Sequence, residues 1–212
     1  MNSKFPIRRV RAFTLIELLV VISIIAVLAG GVGLALKGGN PGAALRGGQS
    51  TLMSTLAAAK GQAALNQVNA MIIVDADATS DTFLRSVRVV VEKTTGTWTE
   101  VGAPVILPQG VYIVPKNTIT GVTLSSSAAS HASDFFTTTG SVTGVTGTFL
   151  QSNKFTSLGT LSGGVGGRLL VAAGTITGPN AVSIDNTNAV RGLVLSKYGI
   201  PAFVSEGDSL GN

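Results

Sequence analysis

Cysteine is absent from the 212 residues, so the chain holds no disulfide framework, no thiolate nucleophile and no thiolate zinc cluster. Histidine occurs once, at position 131, within Ser, Ala and Thr. A general base or metal ligand needs partners. Asp134 stands three residues on, but both fall in an expected loop, and no Ser-His-Asp geometry is advertised. No residue is therefore assigned a catalytic role, and an enzyme is not expected. Gly163-Gly164-Val165-Gly166-Gly167 is followed by Arg168 rather than the Lys-Ser/Thr of a phosphate loop. Arg168-Leu169-Leu170-Val171 reads as strand, whereas a dinucleotide fingerprint opens a helix, so this run is expected to be a hairpin turn. No cofactor is implied.

Charge is also scarce, at 12% of residues. The formal net charge of +5 is concentrated at the start, where Lys4, Arg8, Arg9 and Arg11 have no acidic neighbour. Without those four, eleven of the fifteen basic residues remain against ten acidic ones, a net of +1. The basic start is a topology signal that holds this end in the cytoplasm. Arg191 and Lys197 flank the expected strand Gly192–Leu195, with Lys154 and Arg168 as further cations. Four scattered charges on a nearly neutral body are a weak electrostatic footprint, so nucleic acid is not an expected partner.

Directly after the basic leader comes Phe13-Thr14-Leu15-Ile16-Glu17, and from Leu18 to Leu36 no residue is charged. As helix, residues 13–36 extend roughly 36 Å at 1.5 Å per residue, enough to cross a hydrocarbon core of ~30 Å. A secretory signal shares the basic start and the apolar run but has no use for Glu17. A carboxylate in lipid is costly unless something neutralises it. A plain membrane anchor leaves that residue unexplained.

This N-terminus resembles that of the type IV pilins and type II secretion pseudopilins. The resemblance implies cleavage by a prepilin peptidase between Ala12 and Phe13, followed by N-methylation of Phe13. It further implies that Glu17 neutralises the α-amino group of Phe13 in a neighbouring subunit and sets the register of assembly. Two opposite charges in a low-dielectric bundle are tolerable together and expensive apart. One position departs from the family pattern: Gly normally precedes the cut, and Ala12 stands there. The implied partners are the peptidase, other pilin or pseudopilin subunits, an inner-membrane assembly platform and membrane lipid. The implied address is the bacterial inner membrane, single-pass with an extracytoplasmic head, and then the pilus or pseudopilus.

The expected fold class is α+β: a long N-terminal hydrophobic helix carrying a C-terminal antiparallel β-rich head. Residues 1–12 form the leader, 13–36 the membrane or filament-core helix, 37–68 a Gly-rich break and the amphipathic second half of the stem, and 69–212 the head. Gly30, Gly31, Gly33, Gly38, Gly39, Pro41, Gly42, Gly47 and Gly48 predict a kink or an unwound stretch, because each Gly weakens a helix by about 1 kcal/mol relative to Ala. Leu52, Leu56, Ala59, Ala63 and Ala64 predict an apolar stripe on a helix from Gln49 to about Val68. Strands are expected at Ala70–Val74, Leu84–Glu92, Val105–Val114 (broken at Pro108-Gln109-Gly110), Arg168–Ala172, Ala181–Ile184, Gly192–Leu195 and Ala202–Val204. Thr97-Trp98-Thr99 reads as a hairpin continuation, and Lys197-Tyr198-Gly199-Ile200-Pro201 as the turn of the last hairpin. Residues 120–165, rich in Ser, Thr and Gly, are expected to be long loops with short strands. The order of these elements resembles the GspH/FimT-like minor pseudopilins.

Asp75, Asp77 and Asp81 place oxygens at a spacing that can wrap Ca²⁺, but the Gly and Glu of an EF-hand loop are missing at Ser80 and Ser86. An acidic turn is the expectation, with no metal. The sequence thus points to a structural subunit of a pilus or secretion pseudopilus, with a membrane-anchored binding module that never polymerises as the rival.

Overall fold

In the computed structural model of the protein, the described residues are 41–116, 119–124, 133–178, 181–184 and 190–204, together with Ile16, Leu19 and Ile22. The chain divides into two compact units, Met1–Asn40 and Pro41–Asn212. In the first unit, Ile16, Leu19 and Ile22 are helical and exposed, at 70%, 60% and 57%. No helix among the described residues is long and apolar enough to cross a membrane. Most of the expected span 13–36 lies outside them.

The second unit opens with helix α1, Pro41–Asn66. Pro41 stands at the helix start, where a missing N–H costs nothing. The helix runs through Gly42, Gly47 and Gly48, so the expected break does not extend past Asn40. Packing explains the difference. A Cβ on Gly48 would meet Val111 Cγ1 at 3.0 Å, and one on Gly47 would meet Pro108 Cγ at 3.6 Å. These glycines let the helix approach the sheet closely. Its buried face is Leu45, Gly48, Gln49, Leu52, Thr55, Leu56, Ala59 and Ala63, a stripe at helical spacing in which each buried Leu contributes about 1.5–3 kcal/mol. Ala64, expected on that stripe, is exposed. Gln67 takes a left-handed φ of 57°, and the Val68 N–H donates to Ala63 O at 3.2 Å, which closes the helix C-terminus.

Among the described residues, twelve strands follow, in three sheets. The largest has the order β3-β2-β1-β7-β6 and joins Ala70–Asp75 (β1), Ser86–Thr94 (β2), Thr97–Ile106 (β3), Phe136–Val142 (β6) and Val145–Ser152 (β7). A second, of order β12-β11-β8-β4, joins Val111–Ile113 (β4), Gly167–Ala173 (β8), Val190–Leu195 (β11) and Pro201–Val204 (β12). The third, β5-β10-β9, joins Val122–Leu124 (β5), Thr175–Gly178 (β9) and Ala181–Ile184 (β10). The α+β order and the β-rich head are as expected, and two sheets are wholly antiparallel. The β10–β5 pair is parallel, because β5 enters from a distant segment rather than by a hairpin.

Strand boundaries differ in instructive ways. Leu84 is buried with φ 54°, which ends the turn and delays β2 to Ser86. β3 extends from Thr97 through Val105 and Ile106, so those two residues finish a long strand instead of starting a new one. In 120–165, where long loops with short strands are expected, two of the strands are longer than composition suggests. β6 and β7 form a hairpin, and β7 pairs with β1 inside the five-stranded sheet. Threonine is β-branched and favours strands, and Thr dominates β6.

Both faces of the five-stranded sheet carry buried apolar residues. One face meets α1 in the main core with Leu52, Leu56, Ile72, Val74, Phe155 and Leu170. The other carries a smaller cluster of Met71, Ile73, Val90, Trp98, Val142, Val145 and Phe149. Gln49 pins the helix to the second sheet: its Nε2 donates to Gly192 O at 2.6 Å and to Val204 O at 3.1 Å. Near the other end, Lys60 Nζ donates to Tyr198 O at 2.9 Å.

Candidate functional site

The residues expected to carry processing and assembly, Ala12, Phe13 and Glu17, lie outside the described residues, as does His131. Asp134 is described and is committed elsewhere. It accepts a hydrogen bond from the Arg168 N–H and pairs with Arg168 Nε at 3.4 Å.

The acidic turn after β1 folds around its own carboxylates. Asp75 is 7% exposed, and its oxygens accept from Ser80 Oγ at 2.5 Å, Thr82 Oγ1 at 2.9 Å and the Asp77 N–H at 3.1 Å. Asp77 accepts from Thr79 Oγ1 at 2.7 Å and the Thr79 N–H at 2.9 Å. The Thr79 hydroxyl, followed by its amide, lowers the Asp77 pKa, because both donors stabilise the charged form. These oxygens are occupied by hydroxyl and amide donors, and no group of three metal-binding side chains occurs among the described residues. Asp81 makes no such bond and stands exposed at the turn's outer edge.

At the opposite end of the β1–β2 ladder, Glu92 accepts from the Gly96 N–H at 2.8 Å and Asn69 Nδ2 at 2.6 Å. The Gly96 amide is the main cause of its lowered pKa, then Asn69, with a smaller contribution from the Lys154 charge. Lys154 lies 4.9 Å from the Trp98 ring centroid and Lys197 5.0 Å from that of Tyr198. Arg168 is in an ion pair, and Arg191 stands half-buried within β11. Each of these four cations is thus held in its own local setting. Ser162–Gly164 forms a 3-10 turn, with φ of 79° at Gly163 and 64° at Gly164, and leads into β8, a strand. The glycines make a turn, as expected, but not a hairpin, since β8 pairs with β4 and β11 and not with the preceding β7.

One feature was not legible in the sequence. A cleft of about 270 Å³ opens between the acidic turn and the third sheet, with Asp81, Phe83, Tyr112, Ile176 and Val182 among its lining. Phe83, Tyr112 and Val182 are nearly buried walls, while Ile176 is 71% exposed. The lining comes from segments a hundred positions apart, so no local spacing announces it. Its one sequence signal is Asp81, the last of the three aspartates in the turn, which stands at the lip.

Against known proteins, the prokaryotic N-terminal methylation motif matches residues 7–33. No curated protein matches the chain. Among solved structures, the minor pseudopilin EpsH from the type 2 secretion system of Vibrio cholerae is similar over 77% of this chain and 98% of that one, at 9% identity and a TM-score of 0.42.

Proposed function

From the premise that this chain is a member of the type IV pilin and pseudopilin superfamily, whose N-terminal methylation motif it carries at residues 7–33, we propose that it is a structural subunit of a pilus or secretion pseudopilus. The motif is the observation that carries the reading. A basic leader, Phe13-Thr14-Leu15-Ile16-Glu17 and an uncharged run occur in that order. The chain is inserted in the inner membrane with its head outside the cytoplasm, cut between Ala12 and Phe13 by a prepilin peptidase, and methylated on the new terminus.

Glu17 then meets the α-amino group of Phe13 in a neighbouring subunit. Alone in an apolar bundle either charge is costly, and together each removes the other's penalty. The exposed, helical Ile16, Leu19 and Ile22 support the reading, since large apolar side chains in that setting call for cover by lipid or by other stems. Platform proteins and other subunits are its partners, and its role is mechanical rather than catalytic.

Intact mass and N-terminal peptide mapping of membrane-extracted protein, with and without co-expressed prepilin peptidase, test the processing step. The expected product begins at N-methylated Phe13. A chain still carrying Met1 to Ala12 in the peptidase's presence overturns the proposal. Glu17→Ala is expected to leave the cut intact and abolish filaments in sedimentation and microscopy.

A further inference from the structure

Five of the six carboxylates among the described residues are committed: Asp75 and Asp77 within their own turn, Glu92 to Asn69 and Gly96, Glu100 to Arg88 and Asp134 to Arg168. Asp81 alone has no partner, and it lines the cleft described above. Tyr112 is a second, independent sign. Its side chain is 4% exposed and lines the same cleft, and its hydroxyl has no hydrogen-bond partner, yet it is not among the atoms sealed from solvent.

A volume of about 270 Å³ falls just under the ~300–1,000 Å³ of sites for small molecules and cofactors. Apolar walls from Phe83 and Val182, a free hydroxyl and a free carboxylate at the lip complement a long cationic side chain. The aliphatic stem would lie along the walls and the charged head would reach the acid.

The chain presents such a side chain at the far end of the same ladder. Antiparallel register places Val74 opposite Val87 near the acidic turn and Ala70 opposite Val91 near the β2–β3 tip. Lys93 is exposed beside the two-residue turn Thr95-Gly96 and has no partner. Arg46 and Lys116 are exposed too, but one stands on the helix α1 and the other just beyond β4 rather than at a hairpin tip, and Arg191 is half-buried within β11. From Ser86 to Lys93 the strand extends about 23 Å at ~3.3 Å per residue. Socket and peg therefore cannot meet within one molecule.

We propose that the Asp81 cleft receives the Lys93 hairpin tip of a second copy of this chain. Complementary patches at opposite ends of one body make a head-to-tail contact that repeats without closing, as a filament requires. The inference rests on the filament reading for the supply of aligned copies.

The absence of cysteine makes the test clean. Full-length chain co-expressed with prepilin peptidase would carry Asp81→Cys, Lys93→Cys or both, and be treated in membranes with a short bis-maleimide. That reagent suits the contact, because a Lys–Asp approach leaves the Cα atoms farther apart than the ~7 Å a disulfide spans. The double variant is expected to give a ladder of dimers, trimers and higher species, and each single variant dimers at most. Uncross-linked Asp81→Lys should lower the sedimenting, assembled fraction roughly fivefold, the scale of one partly exposed ion pair, and adding Lys93→Asp should restore it. Tyr112→Phe, introduced into the double-cysteine chain, is expected to keep the fold and lower the ladder yield.

Filaments that assemble without a ladder, or a reversal that does not rescue, would overturn the socket and leave the filament reading standing. A ladder from chain that is never cut before Phe13 would support the socket and count against that reading.

Discussion

Two glycine-rich stretches of this chain use the same residue for opposite ends. In α1, Gly47 and Gly48 hold ordinary helical backbone, and their missing side chains bring the helix onto Pro108 and Val111. Between Ser162 and Gly167, Gly163 and Gly164 adopt left-handed backbone in open space. There the missing Cβ permits a turn. The second stretch also holds one position of the first kind: a Cβ on Gly166 would lie 2.0 Å from Leu195 O. Glycine's helix penalty of about 1 kcal/mol is a weak prior that tertiary packing overrides where two elements must approach closely. Counting glycines therefore locates an anomaly without saying which use is made of it.

Substitutions separate the two uses. Gly166→Ala carries the largest expected effect, about 3 kcal/mol or more, because the clash is with a backbone carbonyl that cannot rotate away. A urea midpoint within about 0.5 kcal/mol of wild type would show that β8 and β11 can separate freely there. Gly48→Leu comes next, at about 1–3 kcal/mol of overpacking against Val111. If it instead stabilised the protein, as a better helix former would in a free stem, the close-approach account of α1 would fall.

Gly163→Ala meets no steric neighbour and is expected to cost about 1 kcal/mol from its φ of 79° alone. Its counterpart is Gly61→Ala, also in open space but helical, which should stabilise by about 0.4–1 kcal/mol. Opposite signs in one thermal-unfolding series would confirm that backbone conformation, not volume, governs both sites.

The smallest effect compares the two ends of the β1–β2 ladder. Asp77 and Glu92 have lowered pKa values, so their folded forms hold protons less tightly than the unfolded chain does. That contribution to stability is present above their ordinary values of 3.8 and 4.5 and is lost as pH falls through the lowered ones. Glu92→Gln should thus be less stable than wild type at pH 6 and should approach it in strong acid. Parallel urea midpoints across that range would contradict the assignment to Gly96 and Asn69.

Local pattern carried a good deal of the head. Ala70–Val74, Arg168–Ala172 and Ala181–Ile184 each matched a strand to within about a residue, since short apolar runs bounded by turn residues fit few other elements. The Lys197–Pro201 turn was equally plain, with Leu195 paired to Pro201 around a left-handed Gly199. The Ser, Thr and Gly that fill residues 120–165 predict long loops with short strands, and say nothing of which segment becomes a full hairpin. The place of Phe136–Ser152 beside β1 makes it sheet, with Ile73 opposite Gln151 and Val74 opposite Leu150. That pairing joins positions nearly eighty apart, and composition within a window carries no trace of it.

The division follows from the range of the forces involved. The N-terminal motif, the strand periods and the tight turns depend on residues within a few positions of one another, so order along the chain determined them. That Gly47 and Gly48 lie inside a helix, that β5 runs parallel to β10, and that Asp81, Tyr112 and Val182 share one cleft were decided only by tertiary structure. Each of those depends on burial and on hydrogen-bond pairing between distant segments. Such contacts exist only once the sheets have stacked beneath α1.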